Sequence, residues 1–131
     1  MSEDGDDSNP GTSEAPFATL KKAADYINGQ PMGGTYTIYV MSDLASTACA
    51  RFYDCHVTIT SEEGNTYTVT RGGNFSGQHE PARGWYNPAM LEIGKAVAEN
   101  GEFLWDERAS LTLENIVFDD GGLYEGDYFL Q

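Results

Sequence analysis

Basic side chains are scarce in this 131-residue chain: seven Lys and Arg stand against 21 Asp and Glu, for a formal net charge of −14. So acidic a surface repels phosphodiester backbones and anionic headgroups, which argues against nucleic-acid and membrane-surface partners. Long apolar runs are missing as well. No stretch approaches the roughly 20 consecutive apolar residues that span a bilayer, so membrane insertion is not expected. The opening Met1-Ser2-Glu3-Asp4 is acidic and lacks the apolar segment of an export signal. On that reading, either the chain works inside the cell or its export signal lies outside these residues. Cysteine is limited to Cys49 and Cys55. Their spacing fits no common zinc or redox motif, and a short-loop disulfide and two buried thiols both stay open. Nucleophile contexts such as Gly-x-Ser-x-Gly are absent too.

What is present suffices for one folded domain. The 40% hydrophobic and 12% aromatic fractions exclude global disorder. Residues 1–15 hold five acids, no base, and the breakers Gly5, Pro10 and Gly11, and read as an acidic leader, a loop or loosely ordered tail. Behind it, Phe17, Leu20, Ala23, Ala24 and Ile27 recur at steps of three and four, which predicts an amphipathic helix over about 17–28 ending at Gly29. Period-two alternation follows in Thr35–Val40, with Tyr36, Ile38 and Val40 on one side, then in Val57–Thr60 and Tyr67–Thr70. Met90–Ile93 is a further candidate strand, and Leu111–Leu113, a bend at Glu114-Asn115, and Ile116–Phe118 form a strand-bend-strand unit. Ile38 to Ile59 is 21 residues and Ile93 to Leu113 is 20, a period that suits one coil of a β-solenoid. The longer gap from Ile59 to Ile93 requires an insertion, placed at about 73–110 within a single domain of 16–131.

The leader Gly5-Asp6-Asp7-Ser8-Asn9-Pro10-Gly11-Thr12, followed by Pro16-Phe17-Ala18-Thr19-Leu20 and Ala23, resembles the start of right-handed parallel β-helix proteins of the pectin-lyase-like superfamily. The likeness is to the N-terminal coils of bacterial surface-exposed β-helix proteins, and Leu111–Phe118 looks like one of their coils. It implies an all-β fold, a right-handed parallel β-helix fragment with an N-terminal capping α-helix. A lid is also required on physical grounds, since the first coil would otherwise expose its apolar interior along the axis. The architecture hosts lyases, hydrolases, adhesins and spacers alike, so no activity follows from it.

Candidate chemistry is thin. Asp4, Asp6 and Asp7, with Ser8 and Asn9, crowd hard oxygen ligands that calcium favours, although Ala15 stands where an EF-hand has its bidentate Glu. The competing reading is a solvated loop whose side chains cap local turns. Asp119-Asp120 could serve glycoside hydrolysis only if both carboxylates entered one cleft, and a turn between coils is the simpler reading. Arg51, Arg71, Arg83 and Arg108 are scattered, Arg51 and Arg71 reading as strand flanks, and His56 and His79 suggest no third ligand. In the insertion, Arg83, Trp85 and Tyr86, with Phe75, Phe103 and Trp105 nearby, could stack and hydrogen-bond a sugar ring, or could pack the excursion onto the coils.

The expectation is therefore a non-catalytic β-helix segment of a bacterial cell-surface or secreted protein, a stalk, adhesin or glycan-contacting module. The alternative is the N-terminal part of a polysaccharide lyase or glycoside hydrolase whose active site lies on further coils. A polysaccharide or host glycan is the expected partner, calcium the only cofactor suggested, and the location extracellular or at the cell surface. The last coil should leave one strand edge open. Acidic residues after it, such as Asp119 and Asp120, are expected to keep the chain chiefly monomeric at neutral pH.

Overall fold

The computed structural model describes residues 1–31, 33–72, 90–93 and 109–119, together with the main chain of 79–80, 84–85, 95–97 and 103–105. One helix, α1 (Leu20–Asn28), precedes the strands β1 (Thr35–Val40), β2 (Leu44–Ser46), β3 (Ala50–Phe52), β4 (His56–Ser61) and β5 (Tyr67–Arg71). Short strands β6 (His79–Glu80) and β7 (Gly84–Trp85) follow, then β8 (Leu91–Ile93), β9 (Lys95–Val97) and β10 (Phe103–Trp105). β11 (Ser110–Glu114) and β12 (Ile116–Asp119) come last.

Strands one coil apart pair in parallel, which is what makes this a β-helix fragment and not a sandwich. β1, β4 and β11 form the first face, with β4 central; β2, β5 and β12 form the second, with β5 central; β3 and β8 pair on the third. The register puts like on like. Ile38 lies on Ile59 and Ile59 on Leu113; Leu44 lies on Val69 and Val69 on Phe118; Phe52 lies on Ile93. A one-residue slip would turn each of these ladders to solvent, so the burial of one face holds the register. Outside the first face, Thr37, Thr58 and Thr112 make a polar ladder, the outward half of the same alternation.

The 21-residue interval from Ile38 to Ile59 is thus one coil. The interval from Ile93 to Leu113 is not a coil, because the two residues sit on different faces: Ile93 pairs with Phe52 and Leu113 with Ile59. Spacing alone cannot separate residues of different faces, since all inward positions share one apolar pattern. Within 73–110, β8 returns to the stack, and β6–β7 and β9–β10 are antiparallel pairs.

Two corners depend on backbone that few residues adopt. Asn115, between β11 and β12, and Asp54, before β4, have φ of 49° and 44°. Asn and Asp tolerate this left-handed conformation because their short polar side chains bond locally. The bend expected at Glu114-Asn115 is therefore a single left-handed residue.

The helix is shorter than its periodicity predicts, beginning at Leu20 and not near Phe17. Thr19 is its N-cap, its hydroxyl accepting from the Lys22 N–H at 3.1 Å. Asp7 reaches across from the leader: its Oδ1 accepts from the Ala18 and Thr19 N–H groups, each at 3.0 Å, and its Oδ2 from the Thr19 hydroxyl at 2.7 Å. Those bonds hold residues 18–19 out of the helix and satisfy donors that a helix start leaves orphaned. All five residues of the apolar stripe are nonetheless buried: Phe17, Leu20, Ala23, Ala24 and Ile27. Each large apolar side chain so buried stabilises the domain by about 1.5–3 kcal/mol.

The leader is an ordered loop, tied to the stack at several points. Ser2 N–H donates to the Phe17 carbonyl and Asp6 N–H to that of Pro16, both at 3.0 Å, and Gly11 N–H donates to the Ala15 carbonyl. Gly5 lies so close to the Phe17 carbonyl that a Cβ there would strike it. Met1 is buried, its nitrogen donating to the Tyr39 carbonyl at 2.7 Å and its carbonyl accepting from Met41 N–H at 2.8 Å.

Candidate functional site: a cleft beside the capping helix

The cap does not sit evenly on the first coil. α1 packs chiefly against β3. Asn28, at its end, grips the main chain there: its Nδ2 donates to the Arg51 carbonyl at 2.7 Å and its Oδ1 accepts from Tyr53 N–H at 3.1 Å. These bonds place the end of the helix on the third face, and its contacts with β1 on the first are fewer. Between them opens a cleft of about 730 Å3.

The leader walls it at Pro10–Ser13, and its floor is apolar and largely buried: Phe17, Ala23 and Ile27 from the cap side and Ile38 from β1, each under 8% exposed. Tyr26 and Tyr36 also line it, and the Phe17 and Tyr26 ring centroids are 5.7 Å apart. Tyr39, 57% exposed, stands at the end of β1, where Glu62 and Glu63 supply the charged side chains of the lining. Volume, apolar floor and few polar groups are the features of small-ligand and peptide sites.

The edge of β1 along this cleft is open. In a strand the main-chain groups of alternate residues point to opposite sides. The carbonyls of Gly34 and Val40 accept from His56 and Glu62 of the second coil, so even-numbered residues face β4. Odd-numbered residues face the cleft side, as the bonds of Tyr39 and Met41 to Met1 show. Among the described residues, the main-chain groups of Thr35 and Thr37 and the Tyr39 N–H have no partner on that side.

The acids named for calcium, Asp4, Asp6 and Asp7, lie in the leader. Asp7 is the cap described above. Asp6 Oδ1 accepts from the Ser8 N–H and hydroxyl at 2.8 and 2.6 Å, and these bonds hold its carboxyl below the usual range. Asp4 is exposed, and its main-chain N–H donates to Ser2 Oγ at 3.3 Å. Among the described residues no three His, Cys, Asp or Glu side chains gather as a metal site. The Asp6 and Asp7 carboxylates make turn and helix-cap hydrogen bonds. Asp7→Ala is expected to cost about 2 kcal/mol by freeing half-buried N–H groups, and Asn28→Ala a similar amount. Asp4→Ala should stay within about 0.5 kcal/mol. Urea unfolding of the three variants checks this ordering; equal losses at Asp4 and Asp7 would refute the capping role.

Arg83 and Tyr86 lie outside the described residues, as does the side chain of Trp85, whose main chain pairs with that of His79 in β7. Asp120 is also outside them, while Asp119 ends β12. Arg51 does not flank a strand: it is the middle residue of β3, its Nε 2.8 Å from Oε2 of the fully buried Glu92, its register partner in β8. Arg71 is the last residue of β5 and is buried. The Tyr53 phenol is pushed above its usual range, chiefly by burial, with Arg51 opposing the shift. His56 Nδ1 lies 2.7 Å from Ser110 Oγ, a contact between coils. Cys49 and Cys55 are both buried.

Sequence reasoning missed the cleft. Tyr26 lies off the apolar stripe of α1 and Tyr39 on the outward half of β1, which was the available signal. The opening itself is lined from the leader, α1, β1 and the turn after β4, and no local pattern encodes that juxtaposition.

No protein-family model, no curated protein and no solved structure matches this chain. Among the described residues no helix is long and apolar enough to cross a membrane. The class is set by the fold alone: a parallel β-helix fragment closed at its N-terminal end by one helix.

Proposed function

We propose that this chain is a non-catalytic β-helix segment of a bacterial cell-surface or secreted protein, a stalk or adhesin portion whose capped end presents a recognition surface. The observation that carries the reading is the cleft between α1 and β1. It combines an apolar floor, exposed tyrosines and carboxylates at one end of an otherwise closed cap. A lid that served only to close the stack would be expected to lie flush on the first coil, since any gap forfeits dispersion contacts. The net charge of −14 suits a segment exposed to a cation-rich medium.

The test is binding without turnover. The labelled full chain is incubated with intact bacterial and epithelial cells, with mucin, and with a panel of acidic and neutral polysaccharides. Saturable binding, with no reducing ends released and no unsaturated product in the ultraviolet, is the expected result. Bond cleavage would overturn the non-catalytic reading, and no binding to any surface would overturn the recognition reading. Glycan contact through the insertion is checked in the same assay. If Arg83, Trp85 and Tyr86 form a sugar surface, Trp85→Ala abolishes polysaccharide binding and leaves thermal unfolding unchanged. A variant that simply unfolds would mean that Trp85 packs the insertion onto the coils.

A further inference from the structure

We infer that the cleft beside α1 receives an extended peptide segment of a cationic partner protein, which adds as a strand to the free edge of β1. The inference rests on the recognition reading above and names the partner class for that site.

Three observations converge on a strand as the occupant. The Thr35–Tyr39 edge offers main-chain donors and acceptors at the two-residue repeat of a β-ladder, over a length of about 13 Å. An unpaired edge of this kind is a template for another chain, and peptide recognition by strand addition uses it for affinity, with pockets for alternate side chains giving specificity. The cleft supplies such a pocket. A strand about 4.8 Å from β1 would direct every second side chain into the cleft, against the exposed Tyr26 ring and over the small exposed part of Phe17, Ala23 and Ile27. Met1 already bonds to the end of this edge, through Tyr39 and Met41, and leaves the rest of it free. The apolar floor suits aliphatic side chains better than sugar hydroxyls, which would lose water there without gaining partners.

Charge selects the partner. Glu62 and Glu63 stand at the Tyr39 end of the cleft; the Met1 ammonium beside them interacts with Glu62, which leaves one net negative charge there on a chain of net charge −14. A second copy of this chain would bring like charge to like, so self-pairing is disfavoured at neutral pH. A segment with Lys or Arg next to an alternating apolar stretch is complementary, and its binding weakens with salt.

A random linear heptapeptide phage library panned on the immobilised full chain tests this directly. The expected yield is peptides with alternating apolar residues and at least one Lys or Arg. Their binding should slow amide exchange at Thr37 and Tyr39 and fall about tenfold or more, roughly 1.4 kcal/mol, in the double variant Glu62→Lys, Glu63→Lys. Both carboxylates are exposed, but Glu62 interacts with the Met1 ammonium, so Glu63→Lys alone, with circular dichroism to confirm folding, is the companion variant and should lose part of the same affinity. Thr37→Pro gives a second reading. Its lost N–H faces away from β4, where an edge strand tolerates proline, so the fold should persist while peptide binding is lost. If Thr37→Pro unfolds, the exchange measurement still decides. No enriched peptide, protection at other amides, or concentration-dependent protection of Thr37 and Tyr39 by the chain alone would overturn the inference, the last pointing to a second copy. Cell or mucin binding that survives while peptides fail would remove the peptide and leave the recognition reading standing; loss of both removes both.

Discussion

Ile27→Asp is expected to destabilise the domain by more than about 3 kcal/mol, enough to unfold much of a marginally stable population at 25 °C. Ile27 is 6% exposed, on the face of α1 that closes the stack, beside Ala23 and Ala24. A carboxylate there would be desolvated without a partner. Leu20→Asp, at 3% exposure two turns nearer the N-cap, should do the same. The comparison is Lys21→Ala. Lys21 and Asp25 form an exposed ion pair at 2.7 Å, the i,i+4 type worth a few tenths of a kcal/mol, so this change should cost less than about 0.5 kcal/mol. Denaturant unfolding followed by far-ultraviolet circular dichroism measures all three. Similar losses at Ile27 and Lys21 would show that the helix is not the lid of the stack.

Ile59→Ala is the second large expected effect, at about 4 kcal/mol. Ile59 is fully buried in the central strand of the first face, with Ile38 on one side and Leu113 on the other. Truncation leaves a cavity between two coils, and neither can close it without giving up register with its neighbour. Leu113, half-buried on the last described strand of that face, has one such neighbour, so Leu113→Ala should cost about half as much. The ratio is the informative quantity. Equal losses would mean the third coil is as enclosed as the second, and a negligible loss at Ile59 would contradict stacking on that face. Differential scanning calorimetry of both variants against the parent decides it.

Much of the fold was legible along the chain because its signals are local. Strand alternation in Thr35–Val40 and Val57–Thr60, the Asn in the bend before Ile116, and the stripe from Phe17 to Ile27 each follow from side-chain periodicity against one buried face. The 21-residue match of Ile38 with Ile59 was legible for the same reason. Where coils carry excursions the method fails, as Ile93 shows: its face was assigned only by pairing with Phe52. The start of the helix was misread because its deciding residue, Asp7, lies 12 positions before the Thr19 it bonds. The candidate site was hardly legible at all. Aromatic clustering drew attention to Arg83, Trp85 and Tyr86, whereas the cleft gathers Phe17, Tyr26, Tyr36 and Glu62 from four separate segments.

By itself, then, the sequence determined an acidic, mostly β chain with an amphipathic lid and repeating inward-facing apolar positions. Periodicity and charge need no partner in space to be read. Tertiary structure alone decided which repeats lie on which face, since parallel pairing depends on the path of the chain between strands. It also decided that Asp7 caps a helix, that Glu92 is buried beside Arg51, and that Asn28 ties the end of the lid to the main chain of β3. The open edge of β1 is likewise a tertiary fact: whether the odd-numbered main-chain groups of Thr35–Tyr39 find partners depends on segments distant in the chain, of which Met1 reaches only the Tyr39 end.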